Sequence, residues 1–237
     1  MEIRKSYLAI RKAIGILGLL LPALVIFFHG ELLTSISHYY YARSAVFFIG
    51  IMFSFGLFLI SYRGYEKDTK TEKLSDNTIT NIGGFAALMV IFFPTSCLGS
   101  GGFSITCYSE GLVMFGHVNK YVSAVHLISA GLFLFIMGWI SIYRFTKTKE
   151  NVILSAEKKR NNRVYKFCGF LVWISLGVLI FEFAGQLIWS DKFQLSDYDI
   201  ILFETIAVMA FGISWLVKGD AIEDLIDIRR KYFRTGN

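Results

Sequence analysis

The chain has 237 residues, of which 54% are hydrophobic, 16% aromatic and only 18% charged, with two prolines. Such a composition excludes an ordinary soluble domain, whose apolar runs are shorter. The net charge of +6 does not point to nucleic acid, because the basic residues flank apolar runs and form no aromatic-interleaved patch.

The first apolar run is Ala13 to Phe28, and Tyr7 to Ile10 extend it across Arg11 and Lys12, whose long side chains can snorkel to the headgroups. A span is therefore expected here. A cleaved signal peptide would share the basic start and short apolar region, but no Ala-x-Ala-like site follows in His29 to Leu33. Next comes a polar, aromatic stretch, Thr34-Ser35-Ile36-Ser37-His38-Tyr39-Tyr40-Tyr41. The remaining runs are Ser44 to Tyr62, Ile79 to Cys97, Tyr121 to Tyr143, Phe167 to Trp189 and Ile200 to Val217, each near the ~20 residues a helix needs to cross hydrocarbon. The expected fold is all-α, an integral membrane bundle of six transmembrane helices forming one domain over residues 1–219. The charged connection Arg144 to Lys166 is too short for a core of its own and should extend the fourth and fifth helices into water. Residues 220–237 would add a C-terminal helix, amphipathic at the inner membrane surface through Ile222, Leu225, Ile226, Ile228 and Phe233, or solvent-exposed.

Lys and Arg set the orientation, since they are retained on the cytoplasmic side. With six spans, the N-terminus, second loop, fourth loop and C-terminus carry 4, 4, 8 and 5 of them, which is 21 of 24. Only Arg43, Lys120 and Lys192 fall on the other side, so both termini are expected in the cytoplasm. The absence of Asn-x-Ser/Thr sequons is compatible with a prokaryotic plasma membrane. Cys97 and Cys107 lie in an outer, glycine-containing loop that would let them meet in a disulfide if that side is oxidising. Cys168 lies near the inner end of the fifth span and reads as a small apolar filler.

Three ionisable residues interrupt the spans: His126, Glu182 and Glu204. A charge near a helix centre costs roughly 2.5 to 3.5 kcal/mol, so a function is the default expectation. His126 lies five residues past Tyr121, Glu204 five past Asp199, and Glu182 seven before Trp189. At ~1.5 Å per residue, all three lie about 7 to 10 Å below the outer boundary. Ser123, His126 and Ser129 share one helix face, as do Ser175, Glu182 and Gln186, and both faces should turn inward. The segment Thr34 to Tyr41, with Ser37, His38 and Tyr40 as pocket candidates, precedes the second span on the same side and could cap a cleft, although Tyr is common at membrane interfaces. His29 and His117 read as surface residues.

Several chemistries fit this set. Two Glu and one or two His could ligate zinc, but no HxxxH or HExxH spacing is present, and no metal is expected. Ser37 with His38 or His126 and a carboxylate could form a nucleophile, base and orienter, without a GxSxG turn. Buried carboxylates also suit a proton-coupled or ion transporter, and a short chain leaves room for an oligomeric pore. Alternatively His126 and a Glu could simply satisfy each other in the bundle. The reading that demands least is a polar pocket near the outer leaflet that binds a lipid headgroup or amphiphile. Membrane lipids are then the expected partners, with homo-oligomerisation left open, no nucleic acid and no cofactor.

The residues also carry a resemblance. Ser35-Ile36-Ser37-His38, Phe47-Phe48-Ile49-Gly50 and Ser61-Tyr62-Arg63-Gly64-Tyr65 resemble the corresponding segment of the DRAM autophagy modulators and of relatives in GPI-anchor lipid remodelling. Asn81-Ile82-Gly83-Gly84, His126, Glu204 and Phe211-Gly212-Ile213-Ser214-Trp215-Leu216 follow in similar order. His38 departs from the pattern, standing where those families tend to carry an acidic residue, and the outer Cys pair has no counterpart. The resemblance implies six spans, cytoplasmic termini and a lipid-linked role for His126 and Glu204. It extends to uncharacterised bacterial membrane proteins of the same superfamily. CREST-type hydrolases such as alkaline ceramidases need a seventh span and a late His pair that this chain lacks.

Overall fold

A computed structural model describes residues 2–64, 74–96, 120–148, 153–189 and 196–222, with 224 and 226. Among these the chain is helical, with no strand: α1 (Glu2–His29), a 3-10 turn (Ile36–Tyr41), α2 (Ala45–Ser61), α3 (Asp76–Phe92), α4 (Lys120–Trp139) continuing through a π turn (Ile140–Arg144), α5 (Ala156–Trp189) and α6 (Asp199–Lys218). Four of the helices are long and apolar enough to cross a membrane, over Lys5–His29, Tyr121–Arg144, Ala156–Gln186 and Asp199–Lys218. Helices α2 and α3 have 17 residues each, and α2 is uninterruptedly apolar apart from Ser54 and its terminal Ser61. Cys97, Cys107, His117, Lys192 and most of the C-terminal segment lie outside the described residues.

Each helix packs on its sequence neighbours and α6 closes on α1, so the six form a ring. Glycine sets how closely two of the crossings approach. A Cβ on Gly212 of α6 would stand 2.7 Å from the Gly15 oxygen and 3.0 Å from the Leu19 nitrogen of α1. On the other side, a Cβ on Gly84 of α3 would stand 2.6 Å from the Gly56 oxygen of α2. Backbones in contact gain van der Waals packing that lipid-soluble side chains alone would not provide, which is the use of small residues between membrane helices. Inside the ring, Trp215 is fully buried and meets Phe58, Tyr62 and Phe145 edge-on at centroid distances of 5.0, 5.3 and 4.9 Å. This arrangement suits the quadrupoles of the rings.

At the charged end of the bundle the Arg11 guanidinium lies 4.4 Å from the Tyr7 ring centre and donates to the Tyr62 hydroxyl at 3.3 Å and the Lys218 carbonyl at 3.4 Å. Lys12 pairs with the exposed Asp224, which draws the segment after α6 back onto α1. Helix α5 starts at Ala156 and extends as expected, whereas α4 gives way to the π turn and stops at Arg144. There Arg144 Nε lies 3.1 Å from Asp76 Oδ1 in a buried ion pair, and its Nη2 donates to the Leu74 carbonyl at 3.1 Å. The turn also brings Ser141 within 2.7 Å of Ser214 on α6.

Candidate functional site at the 3-10 turn

Helix α1 ends at His29, and the chain crosses to α2 through the turn Ile36–Tyr41. Ser35 caps this turn by accepting from the Ser37 amide at 3.1 Å. Short polar side chains bond readily to the backbone two residues on, so Ser-x-Ser is a local signal for such a cap. Two tyrosines brace the turn. Tyr39, completely buried, donates to the Glu31 carbonyl at 2.9 Å and accepts from the Leu33 amide at 3.1 Å. Tyr41 donates to the Thr95 carbonyl at 2.6 Å. Tyr40 makes ring contacts instead, 5.1 Å from Tyr41 and 6.5 Å from Phe48. Burial pushes all three hydroxyls above the ordinary tyrosine range.

Glu204 reaches this turn from the first turns of α6. Its carboxyl oxygens accept from Ser35 Oγ at 3.0 and 2.9 Å and from the Ile36 amide at 2.6 Å. In return, the Thr34 carbonyl accepts from the Ile201 amide at 3.0 Å, satisfying a donor that the start of α6 would otherwise leave open. Asp199 accepts from the amides of Ser196 at 2.8 Å and Ile200 at 2.7 Å. Turn and helix start are therefore mutually capped.

His126 enters from α4. It is 2% exposed, and its Nδ1 lies 3.0 Å from the Val90 carbonyl and 2.9 Å from the Phe93 carbonyl. These carbonyls belong to the end of α3, where helix geometry supplies no partner. Two acceptors at Nδ1 assign the ring proton to that atom. Nε2 then accepts from Ser37 Oγ at 3.0 Å. His38 sits beside this pair with its Nδ1 2.9 Å from Thr34 Oγ1. Burial chiefly, and the neighbouring His126 secondarily, push the His38 imidazole down to about 4.

The structure thus joins Ser37 to His126 and Ser35 to Glu204 through one turn. His126 and Glu204 do not bond each other, so the mutual His–Glu pairing that the sequence allowed is replaced by two separate partners. A carboxylate-oriented triad is likewise absent, because backbone carbonyls hold Nδ1. Glu182 is buried at 1% exposure on the α5 face that also carries buried Ser175, and Gln186 is half-buried one turn further along. The expected inward orientation of both helix faces is what the structure has, with Ser129 buried at 8% and Ser123 accepting from the Ser96 amide at 3.3 Å. No three His, Cys, Asp or Glu side chains are grouped to hold a metal among the described residues. Sequence reasoning placed Thr34 and Ser35 in the capping segment but missed the bond of Ser35 to Glu204, that of Thr34 to His38, and the Asp76–Arg144 pair.

Two cavities lie away from the turn. An apolar groove of about 480 Å³ runs between α5 and α6, lined by Phe167, Cys168, Leu171, Ile206, Met209 and Ile213 among others. A polar cleft of about 270 Å³ lies at the opposite end of the bundle from Ser37. Compared with known proteins, the chain matches no family model, no curated protein and no solved structure.

Proposed function

We propose that the chain is a six-span membrane protein with cytoplasmic termini that binds a lipid headgroup or amphiphile at the outer ends of its spans. The carrying observation is the convergence of Ser37, His126 and Glu204, from three separate elements, on one six-residue turn at a single end of the bundle. Supporting the six spans, α2 and α3 are within the range of about 17 to 25 residues and stand in the ring between long apolar neighbours. The α5–α6 groove offers room for an acyl chain, at a volume within the roughly 300 to 1,000 Å³ of ligand sites. Its Cys168 and Leu171 share a helix face with Ser175 and Glu182, which lie toward the proposed headgroup level. The reading accords with the resemblance to the DRAM and GPI-remodelling proteins, carried in part by this chain's Ser35-Ile36-Ser37, which caps and opens the turn.

The polar groups bond one another, so a headgroup would enter by exchange: its hydroxyl takes the place of Ser37 as the donor to Nε2 of His126. Lipids co-purifying with the wild-type chain should include a class depleted in the His126→Ala and the Glu182→Gln, Glu204→Gln variants. Equal profiles would refute the reading.

A second reading has its own observation. Ser37 Oγ at 3.0 Å from an Nε2 that carries no proton is a nucleophile and general base already assembled. The amides of Ile36 and Ser37 are committed to Glu204 and Ser35, so donors to a reacting oxyanion would come from elsewhere. Under this reading a fluorophosphonate labels Ser37 in the wild type and not in His126→Ala. An unlabelled wild type would remove it.

A further inference from the structure

The polar cleft at the other end of the bundle joins the start of α1, the start of α5 and the end of α6. Three of its lining side chains are cationic: Arg11, Lys158 and Lys218. Lys158 Nζ donates to the Phe145 carbonyl at 2.8 Å, and Lys218 Nζ lies 5.2 Å from the Phe145 ring centre, so both ammonium groups gather over one residue. Arg11 is tied to the same corner through the Lys218 carbonyl at 3.4 Å. Its Nε is buried and has no hydrogen-bond partner among the described residues. An unsatisfied buried donor on a charged group is costly, so Arg11 Nε calls for an acceptor beyond the described residues.

Among the described residues Glu157 and Asp220 line the cleft beside Arg11, Lys158 and Lys218, while Asp224 pairs with Lys12 and Asp76 with Arg144. Asn161, 6% exposed, also lines the cleft, and its carbonyl oxygen accepts from Arg160 Nε and Nη2 at 3.3 Å each, which leaves its amide nitrogen to donate. Convergent guanidinium, amine and amide donors match the several acceptor oxygens of one phosphate group.

We infer that this cleft is a phosphate-binding site, built from Arg11, Lys158, Lys218 and Asn161. It is separate from the 3-10 turn and does not depend on what binds there. The group it holds is a phosphate carried by an anionic phospholipid headgroup or by a soluble phosphate ester, and the two sources are separable by experiment.

The full chain, stripped of lipid in detergent and placed in nanodiscs of phosphatidylcholine alone, is titrated with glycerol 3-phosphate and inorganic phosphate by calorimetry. In parallel, nanodiscs containing phosphatidic acid are compared for thermal protection and for lipid retained in native mass spectra. Saturable binding in the first arm assigns a soluble ester, and specific retention in the second assigns a headgroup. In either case Lys158→Gln with Lys218→Gln should weaken the response by about tenfold or more, given the strength of charged hydrogen bonds. Lys166→Gln, which removes the same charge from an exposed position outside the cleft, should leave it unchanged. Should the double variant not fold, the half-exposed Lys158→Gln alone carries the comparison. No response in either arm, or an equal loss in Lys166→Gln, overturns the inference.

Discussion

Removing the Glu204 carboxyl is the perturbation whose effect can be worked out most fully. Glu204→Ala strips the Ile36 amide and the Ser35 hydroxyl of their acceptor in one step, and both residues are buried, at 4% and 6% exposure. An orphaned buried donor costs roughly 1 to 3 kcal/mol in soluble proteins. Interhelical bonds in membranes are worth about 0.6 kcal/mol on average, so about 2 to 4 kcal/mol for the pair is a reasonable expectation. Glu204→Gln keeps one oxygen as acceptor and should lose no more than about half of that. The assay is thermal or denaturant unfolding in a single defined detergent, with amide exchange read at Ile36. Loss of the carboxyl should accelerate exchange at Ile36 in the Ala variant more than in the Gln variant. If the two variants melt together within about 0.5 kcal/mol of wild type, the carboxyl does not hold the turn and the account of the site fails.

Other predictions follow from separate contacts. Gly212→Ala pushes a methyl group to 2.7 Å from the Gly15 oxygen and should cost about 1 to 3 kcal/mol in unfolding measurements, while Gly50→Ala, with nothing within 4 Å, should not destabilise. Arg144→Met leaves Asp76 buried without its cation and should cost about 3 to 5 kcal/mol, much of it regained in Arg144→Met with Asp76→Leu. His38 supplies a pH dependence: its folded-state value of about 4 lies below the unfolded value of 6.5, so between them the unfolded chain binds more protons. Its contribution is full above pH 6.5 and is lost as the pH falls through about 4, amounting to at most about 3 kcal/mol. Melting temperatures across that window should fall less steeply for His38→Gln than for wild type.

The helices were legible because apolar run length is a strong signal, and the inward faces of α4 and α5 because Ser123, His126 and Ser129, or Ser175 and Glu182, repeat at helical spacing. The common depth of His126 and Glu204 was also legible, from their distance to the charged boundaries. Their partners were not. His126 meets Ser37 across 89 positions and Glu204 meets Ser35 across 169, and nothing in local periodicity encodes which polar group fills which gap. Expecting a histidine to pair with a carboxylate overlooked the open carbonyls at the end of α3, which compete well for an imidazole N–H. Arg11's local partners were not legible either: Tyr7 and Tyr62 offer it aromatic faces and a hydroxyl across the start of α1 and the end of α2.

The most direct measurement of the central claim is the lipid inventory of the purified protein. Wild type, His126→Ala and the Glu182→Gln, Glu204→Gln variant would be prepared from one membrane source in one detergent and their bound lipids quantified by mass spectrometry. The account predicts a lipid class enriched on the wild type over the bulk membrane and depleted on both variants, with the helical content of all three unchanged. Matching inventories on three equally folded proteins would contradict it.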